Sequence, residues 1–159
     1  MSARLAPFRR LLLRAPASLY RRGWGCLLGR RFLLLIHAGR RTGLRRETVL
    51  EIVEYREQGP EAVVVSGFGR DADWLRNIEA RPDAEEVMIG RSRFAASHRV
   101  LAADEAVRVV AGYERRNRFV APVVRFVLSR LLGWPYHGTE SERRLLAAQL
   151  PLVAFRPRT

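Results

Sequence analysis

The spacing of apolar residues divides the chain into a helical beginning, a strand-rich middle and a largely helical end. Before residue 30, apolar side chains recur every three or four positions, which predicts amphipathic helices over residues 7–15 and about 19–28. At Phe32–Ile36 the pattern changes to a continuous apolar run, typical of a strand buried on both faces. We therefore predict a basic amphipathic helical segment over residues 1–29 and one β-rich domain over residues 30–159.

The next two strands are short and are separated by turn-forming residues. Thr48–Tyr55 alternates in polarity, and Ala62–Ser66 is rich in β-branched side chains. The glycines of Gly39–Gly43 predict a turn before Thr48, and Gln58–Pro60 predicts the turn after Tyr55. Three strands joined by such short turns form an antiparallel meander, which we expect over residues 32–66.

The rest of the chain mixes helical and extended patterns. Asp71 or Asp73 is expected to cap a helix that ends near Ala80. Further on, the pattern predicts two strands, Glu86–Gly90 and Phe94–Leu101, with a turn at 91–93 between them. It then predicts a helix from Ala103, a second helix over about 120–132, and a last strand over Leu152–Phe155. Strands and helices do not alternate as in a parallel doubly wound sheet. The predicted fold class is therefore α+β, an antiparallel sheet curled into a small barrel with helices around it.

The composition excludes several kinds of site. Cys26 is the single cysteine, so the chain can form no internal disulfide. No His or Cys pair has the spacing of a metal site, and neither a P-loop nor a nucleophile elbow occurs. Arginines interrupt every apolar run before it reaches the roughly 18 residues of a membrane span. We therefore expect no metal, and a domain that is soluble or lies on a membrane surface.

The excess positive charge is confined to the start of the chain. All 29 basic residues are arginines, and the formal net charge is +13. Residues 1–46 contain 12 arginines and no acidic residue, whereas the remainder contains 17 arginines and 16 acidic residues. This asymmetry predicts an anionic partner for the first part of the chain: phospholipid, nucleic acid or a polyanionic small molecule.

The Gly39–Gly43 turn has the composition of an anion site. Its glycines expose backbone N–H groups, and arginine supplies planar bidentate donors that match phosphate or carboxylate oxygens. The candidate ligands in and after this turn are Arg40, Arg41, Thr42, Gly43 and Arg46. A solvated basic turn is the alternative interpretation, and the turn alone does not decide between the two.

A second candidate site follows the third strand. Glycines at the end of a buried strand let a flat ligand approach the backbone, and the next helix directs its positive end towards that place. Trp74 and Asn77 would add an aromatic wall and an amide, although Trp74 could equally be a core residue. The candidate residues are Ser66, Gly67, Phe68, Gly69, Trp74 and Asn77.

Taken together, the two segments resemble the hallmarks of the deazaflavin-dependent nitroreductases of actinobacteria, a family in the split β-barrel, FMN-binding-like group. The first hallmark matches the strand 33–36, the turn 39–43, Arg46 and Leu50, with Arg41 in place of the family's usual lysine. The second matches residues 63–82, with Phe68 in place of the first of two adjacent glycines. Leu150-Pro151-Leu152-Val153 is similar to the family's closing strand.

The resemblance implies a split β-barrel that binds coenzyme F420, a tricyclic hydride carrier with a phosphodiester and a polyglutamate tail. The basic turn would hold the phosphate and the first carboxylates, and the second segment would border the rings. The implied activity is hydride transfer between the coenzyme and an electron-poor acceptor, either a quinone or a nitro compound. Tyr136 and Ser66 are the candidate catalytic residues, as proton or hydrogen-bond donors to the acceptor.

Several alternatives stay open at this point. FMN could replace F420 in the same barrel, and the chain could bind the coenzyme without catalysis. The arginine-rich beginning could instead make the protein a basic membrane-surface module, since Phe8, Leu11, Leu12 and Trp24 suit a bilayer interface. No recognition helix accompanies the arginines, so nucleic acid is not expected. The predicted location is the cytoplasm, with peripheral binding to the inner face of the membrane, and a homodimer is a further expectation.

Overall fold

A computed structural model describes residues 30–159, which form six strands, four α-helices and three short 3-10 turns. The strands are β1 Phe32–Ala38, β2 Arg45–Arg56, β3 Glu61–Val65, β4 Glu86–Ile89, β5 Ser92–Val100 and β6 Leu152–Pro157. The helices are α1 Asp73–Ala80, α2 Ala103–Arg116, α3 Ala121–Leu132 and α4 Glu140–Gln149. The helices predicted over 7–15 and 19–28, and with them the boundary at residue 29, lie outside the described residues.

The six strands close into one antiparallel barrel in the order β1-β2-β3-β6-β5-β4. The meander β1-β2-β3 is confirmed, with Leu33 opposite Leu50 and Val64 opposite Ile52. Because strands alternate in direction around the barrel, β1 and β3 both end at the same rim. The Gly39–Gly43 turn and the Ser66–Gly69 segment, which follow these two strands, therefore lie at one end of the barrel.

Alternating side chains of the strands fill the barrel. Leu33 and Leu35 point inward, and the apolar face of α1 completes the interior with Leu75 and Ile78, which are fully buried. Because the helix is amphipathic, burial of this face stabilises the fold by roughly 25 cal/mol for each Å² of apolar surface removed from water. As a result, α1 is anchored to the same end of the barrel as the two candidate segments.

A second apolar core lies between the outside of the barrel and the last three helices. Val63 and Leu152 of the barrel wall join Val109 of α2, Leu132 of α3 and Leu146 of α4 in this cluster. The predicted α+β class, with an antiparallel split β-barrel and C-terminal helices packed around it, is confirmed.

Local details differ from the sequence predictions at three places. Neither Asp71 nor Asp73 caps α1: the N-cap position is Ala72, and Asp73 lies in the first turn. The turn before β5 is at Gly90 and Arg91 rather than at 91–93, because Gly90 adopts the positive φ of 59° that a tight turn requires. Helix α4 was not predicted, although a capping box marks its start: the Thr139 hydroxyl and the Glu142 carboxylate each accept the other's backbone N–H.

Candidate functional site

The basic turn after β1 is closed by its own backbone. Gly39 N–H donates to the Leu44 carbonyl over 2.8 Å, and Gly43 N–H donates to the Gly39 carbonyl over 2.7 Å. Gly43 has a φ of 68°, in the left-handed region that glycine adopts without strain. The hydroxyl of Thr42 accepts the N–H of Leu44 over 3.3 Å. The turn is thus held in one shape, with the side chain of Arg41 exposed to solvent.

Asn77 of α1 connects this turn to the helix. Its Oδ1 accepts the backbone N–H of Arg40 and one guanidinium N–H of the same residue, each over 3.0 Å. The same Nη1 of Arg40 also donates to Oδ1 of Asp73 over 2.9 Å. Two segments that are 37 positions apart in the chain therefore meet at one residue.

A buried histidine continues the same hydrogen-bond chain. The Nδ1 of His37 lies 3.3 Å from Nδ2 of Asn77, and its Nε2 lies 3.3 Å from Oγ1 of Thr48. The two N–H groups that Asn77 Oδ1 accepts fix the orientation of the amide, so its Nδ2 faces His37. An amide Nδ2 can only donate, so Nδ1 of His37 is the acceptor and the imidazole proton lies on Nε2. Burial, and to a lesser extent the charge of Arg46, lowers the pKa of His37 to about 4. His37 is therefore neutral at pH 7.

The arginines of the turn differ in whether a carboxylate neutralises them. Arg45 pairs with Glu47 over 3.1 Å, and Arg40 pairs with Asp73. Within residues 30–159, neither Arg41 nor Arg46 forms an ion pair. These two exposed guanidinium groups are the parts of the predicted anion site that are ready to accept an anion.

His37 and Arg81 belong to this site although the sequence did not assign them to it. The Nη1 of Arg81 lies 3.8 Å from the position that a side chain on Gly43 would occupy. For His37, the one signal in the sequence is its position two residues before the turn. The place of Arg81 depends on how α1 packs on the barrel.

The Ser66–Gly69 segment is packed tightly against the loop that precedes β6. Ser66 is fully buried, and its hydroxyl donates to the Gly69 carbonyl over 2.6 Å while its N–H donates to the Pro151 carbonyl. Gly69 has a φ of 68°, and a Cβ there would lie 3.0 Å from the carbonyl oxygen of Gln149. The structure thus explains Gly69 by the approach of its own chain. Gly67 and the 47% exposed Phe68 form the open part of the segment.

Trp74 and Tyr136 lie in the two cores. Trp74 is 6% exposed inside the barrel, with its ring 6.3 Å from that of Phe155. Tyr136 lies in the second core and donates its hydroxyl to Oε1 of Glu114 over 2.5 Å. Burial, together with the Glu114 carboxylate, raises the pKa of Tyr136. The structure therefore unites Arg40, Asn77 and the basic turn, whereas Ser66 and Tyr136 engage separate partners.

A closed antiparallel barrel with a cationic turn at the rim that α1 covers defines a protein of the split β-barrel class. The family model for F420H(2)-dependent quinone reductase matches residues 12–120. The chain belongs to this family, and it is an oxidoreductase that uses coenzyme F420. No curated protein matches the sequence.

Solved structures with similar folds share little sequence with this chain. An F420-H2 dependent reductase is 19% identical over 81% of this chain and 96% of its own, with a TM-score of 0.48. A protein of unknown function from Agrobacterium tumefaciens is 16% identical over 100% of this chain and 58% of its own, with a TM-score of 0.50. A pyridoxamine 5'-phosphate oxidase-related, FMN binding protein from Nostoc punctiforme is 15% identical over 90% and 78%, with a TM-score of 0.44.

The donor set at the basic turn fits the coenzyme. A phosphodiester and a polyglutamate tail require exposed cationic donors without carboxylate partners, and Arg41 and Arg46 meet that requirement among the described residues. None of the helices in residues 30–159 has the length and apolar character that a bilayer span requires.

Proposed function

We propose that the protein transfers a hydride from reduced F420 to a quinone and that the coenzyme lies across the barrel rim between the basic turn and the Ser66–Gly69 segment. The observation that carries this proposal is the double hydrogen bond from Arg40 to Asn77. It fixes the turn against α1, the helix that begins directly after the second segment. An elongated ligand can then contact both segments at once.

The tail of the coenzyme is assigned to the turn. Arg41 and Arg46 bind its phosphate and first carboxylates, with Thr42 and Gly43 of the turn beside them. Arg40 contributes mainly by holding the turn, since its guanidinium already contacts Asp73 and Asn77. A charge-assisted bidentate contact contributes about 1.5–3 kcal/mol, so each free arginine matters for affinity.

The ring system is assigned to the second segment. Gly67 and Phe68 are its accessible residues, while Ser66, Gly69, Trp74 and Asn77 shape it from behind. When bound, the coenzyme supplies the hydride, so the protein needs only to orient the rings and exclude water. The neutral imidazole of His37 adds no charge beneath this rim.

The acceptor is assigned as a quinone on the strength of the family, and a nitro compound is the second candidate. The test is a panel of quinones and nitroaromatics assayed with reduced F420, with coenzyme reoxidation as the readout. Faster turnover of quinones supports the assignment. Turnover of nitroaromatics alone would show that the acceptor is a nitro compound instead.

Tyr136 and Ser66 stay candidates for the proton donor to the acceptor. Each hydroxyl donates to an oxygen inside the protein, so either would have to exchange that partner for the substrate. Tyr136→Phe should then slow reoxidation of the coenzyme without changing its affinity, and Ser66→Ala should slow reoxidation by more than any loss of coenzyme affinity explains. If both variants reoxidise the coenzyme at the parent's rate, neither hydroxyl is the proton donor and the acceptor takes its proton from solvent.

Coenzyme binding is tested by the fluorescence of oxidised F420. We expect Arg41→Ala and Arg46→Ala each to weaken binding about tenfold or more, in line with the loss of one charge-assisted contact. The matched control is Arg91→Ala, an exposed arginine in the turn after β4, at the opposite end of the barrel. Equal affinity in all three variants would contradict the assignment, and bound yellow flavin in the purified protein would favour FMN.

Peripheral binding to the membrane and homodimer formation complete the proposal. The basic segment 1–29 has the composition of an interfacial anchor, so removal of residues 1–28 should weaken cosedimentation with anionic vesicles. Unchanged cosedimentation would contradict this role.

A further inference from the structure

Helix α3 is apolar on two opposite sides, and only one of them is covered. Leu132 is buried in the second core, and Leu128 and Leu131 pack against the same cluster. The other side is exposed: Phe119 in the turn before the helix is 85% exposed, and Val123 and Phe126 are each 62% exposed. An apolar stripe of this kind on a helix surface requires a partner.

The exposed residues form a continuous stripe along the helix axis. Their spacing of three or four positions places them on one face of α3, directed away from the barrel. The members are Phe119, Val120, Val123, Phe126 and Val127, and together they make the outer face of α3.

Arginines are the only charged residues in the segment of chain that carries this face. Residues 115–139 contain five arginines and no acidic residue. Within the described part of the chain, none of the five forms an ion pair. Arg118 lies over the ring of Phe119 at 4.9 Å, and Arg130 lies over the ring of Phe126 at 5.4 Å. Cations are therefore located at both ends of the apolar stripe.

A groove with a volume of about 370 Å³ lies between α2 and α3. Ala121 and Val124 are among its apolar lining residues, and Arg115, Arg118 and Arg125 line it as well. Glu114 also lines it, but that carboxylate is occupied by Arg143 and Tyr136. A lining of small apolar side chains and arginines suits a group that is apolar at one end and anionic at the other.

We propose that the outer face of α3 docks onto an anionic phospholipid bilayer, with the phenylalanine and valine side chains among the acyl chains and the arginines at the lipid phosphates. A second copy of the chain fits this face poorly, because pairing two such faces would bring unpaired arginines together without carboxylates. An anionic bilayer satisfies both the apolar stripe and its cationic border. The docking does not depend on the reductase assignment, since lipid binding needs neither coenzyme nor turnover.

The first test places an environment-sensitive fluorophore on the helix of the full-length protein. Phe126→Cys in a Cys26→Ala background is labelled and mixed with vesicles of phosphatidylcholine alone, or of equal parts phosphatidylcholine and phosphatidylglycerol. Leu145→Cys, an exposed position on α4, is the matched control. We expect a blue shift and quenching by lipid-borne quenchers for position 126 on anionic vesicles only. No shift at 126, or an equal shift at 145, would overturn the proposal.

The second test measures partitioning by cosedimentation. Phe119→Ser combined with Phe126→Ser should lower the partition coefficient about tenfold or more, since each buried phenylalanine contributes strongly to transfer. Arg125→Gln should lower it about fivefold, and Leu145→Ser should leave it unchanged. Circular dichroism establishes that each variant is folded. If sedimentation velocity shows that the two serines abolish a dimer while partitioning stays the same, the face is a protein interface and the proposal is wrong.

Discussion

Arg40 donates both its backbone N–H and a guanidinium N–H to Oδ1 of Asn77, each over 3.0 Å. The amide of a helix residue thereby fixes the main chain of a turn that belongs to the barrel. The helix is itself held by burial of its apolar face, so the turn inherits the rigidity of the core. The site is thus ordered from the interior outwards.

Replacement of Asn77 tests this relationship. Asn77→Ala leaves the Arg40 N–H and the His37 ring without their partner, and we expect a loss of about 1–3 kcal/mol in the free energy of unfolding. The coenzyme affinity should fall as well, because the turn is no longer fixed. Urea unfolding and the fluorescence titration measure the two effects. Glu79→Ala, an exposed change on the same helix, should alter neither. A fully stable Asn77→Ala variant with normal affinity would contradict the role of the amide.

Two glycines with similar backbone angles should respond differently to substitution. Gly59 and Gly69 have φ values of 77° and 68°, so alanine is strained at both. A Cβ on Gly59 meets nothing within 4 Å, whereas one on Gly69 lies 3.0 Å from the Gln149 carbonyl oxygen. We expect Gly59→Ala to cost about 1 kcal/mol and Gly69→Ala clearly more. Thermal unfolding compares them, and equal losses would show that the contact with residue 149 is unimportant.

The buried imidazole of His37 should destabilise the protein in mild acid. Its pKa in the folded protein is about 4, below the ordinary value of 6.5, because burial disfavours the charged ring. The unfolded chain therefore binds the proton first, and stability is lost as the pH falls from 6.5 towards 4. The full loss is about 3 kcal/mol at one pKa unit per 1.36 kcal/mol. NMR titration of His37 should give a midpoint near 4, and a midpoint near 6.5 would contradict its burial.

The ionised carboxylate of Glu105 should stabilise the folded protein above pH 4.5, and this contribution should be lost in strong acid. Hydrogen bonds from Arg99, followed by those from Arg56, lower the pKa of Glu105 to about 2. A carboxylate with a lowered pKa contributes stability above its unfolded value of about 4.5, which is lost as the pH falls towards 2. Glu105→Gln should cost about 1–2 kcal/mol at pH 7 and flatten the acid limb of the stability profile. Glu140→Gln, an exposed residue, is the control, and matching profiles would show that the ion pairs contribute little.

The strands and the first two turns were predictable because their signals are local. The apolar run after residue 31, the alternation in β2 and the glycines of the first turn each reflect a preference that a few neighbouring residues express. Helix α4 was missed despite a local signal, since Thr139 and Glu142 have the spacing of a capping box. The predicted N-cap of α1 was wrong, because a carboxylate near the start of a helix can lie in the first turn instead of at the cap.

Sequence alone predicts the antiparallel meander, the arginine-rich turn and the family hallmarks, because local preference and residue order are contained in a short stretch of chain. The folded structure was needed to show that Asn77 holds Arg40, that Gly69 packs against the chain at Gln149, and that α3 leaves an apolar face uncovered. These relationships join segments distant in sequence. Barrel closure and helix packing bring them together, and that geometry depends on all the strands at once.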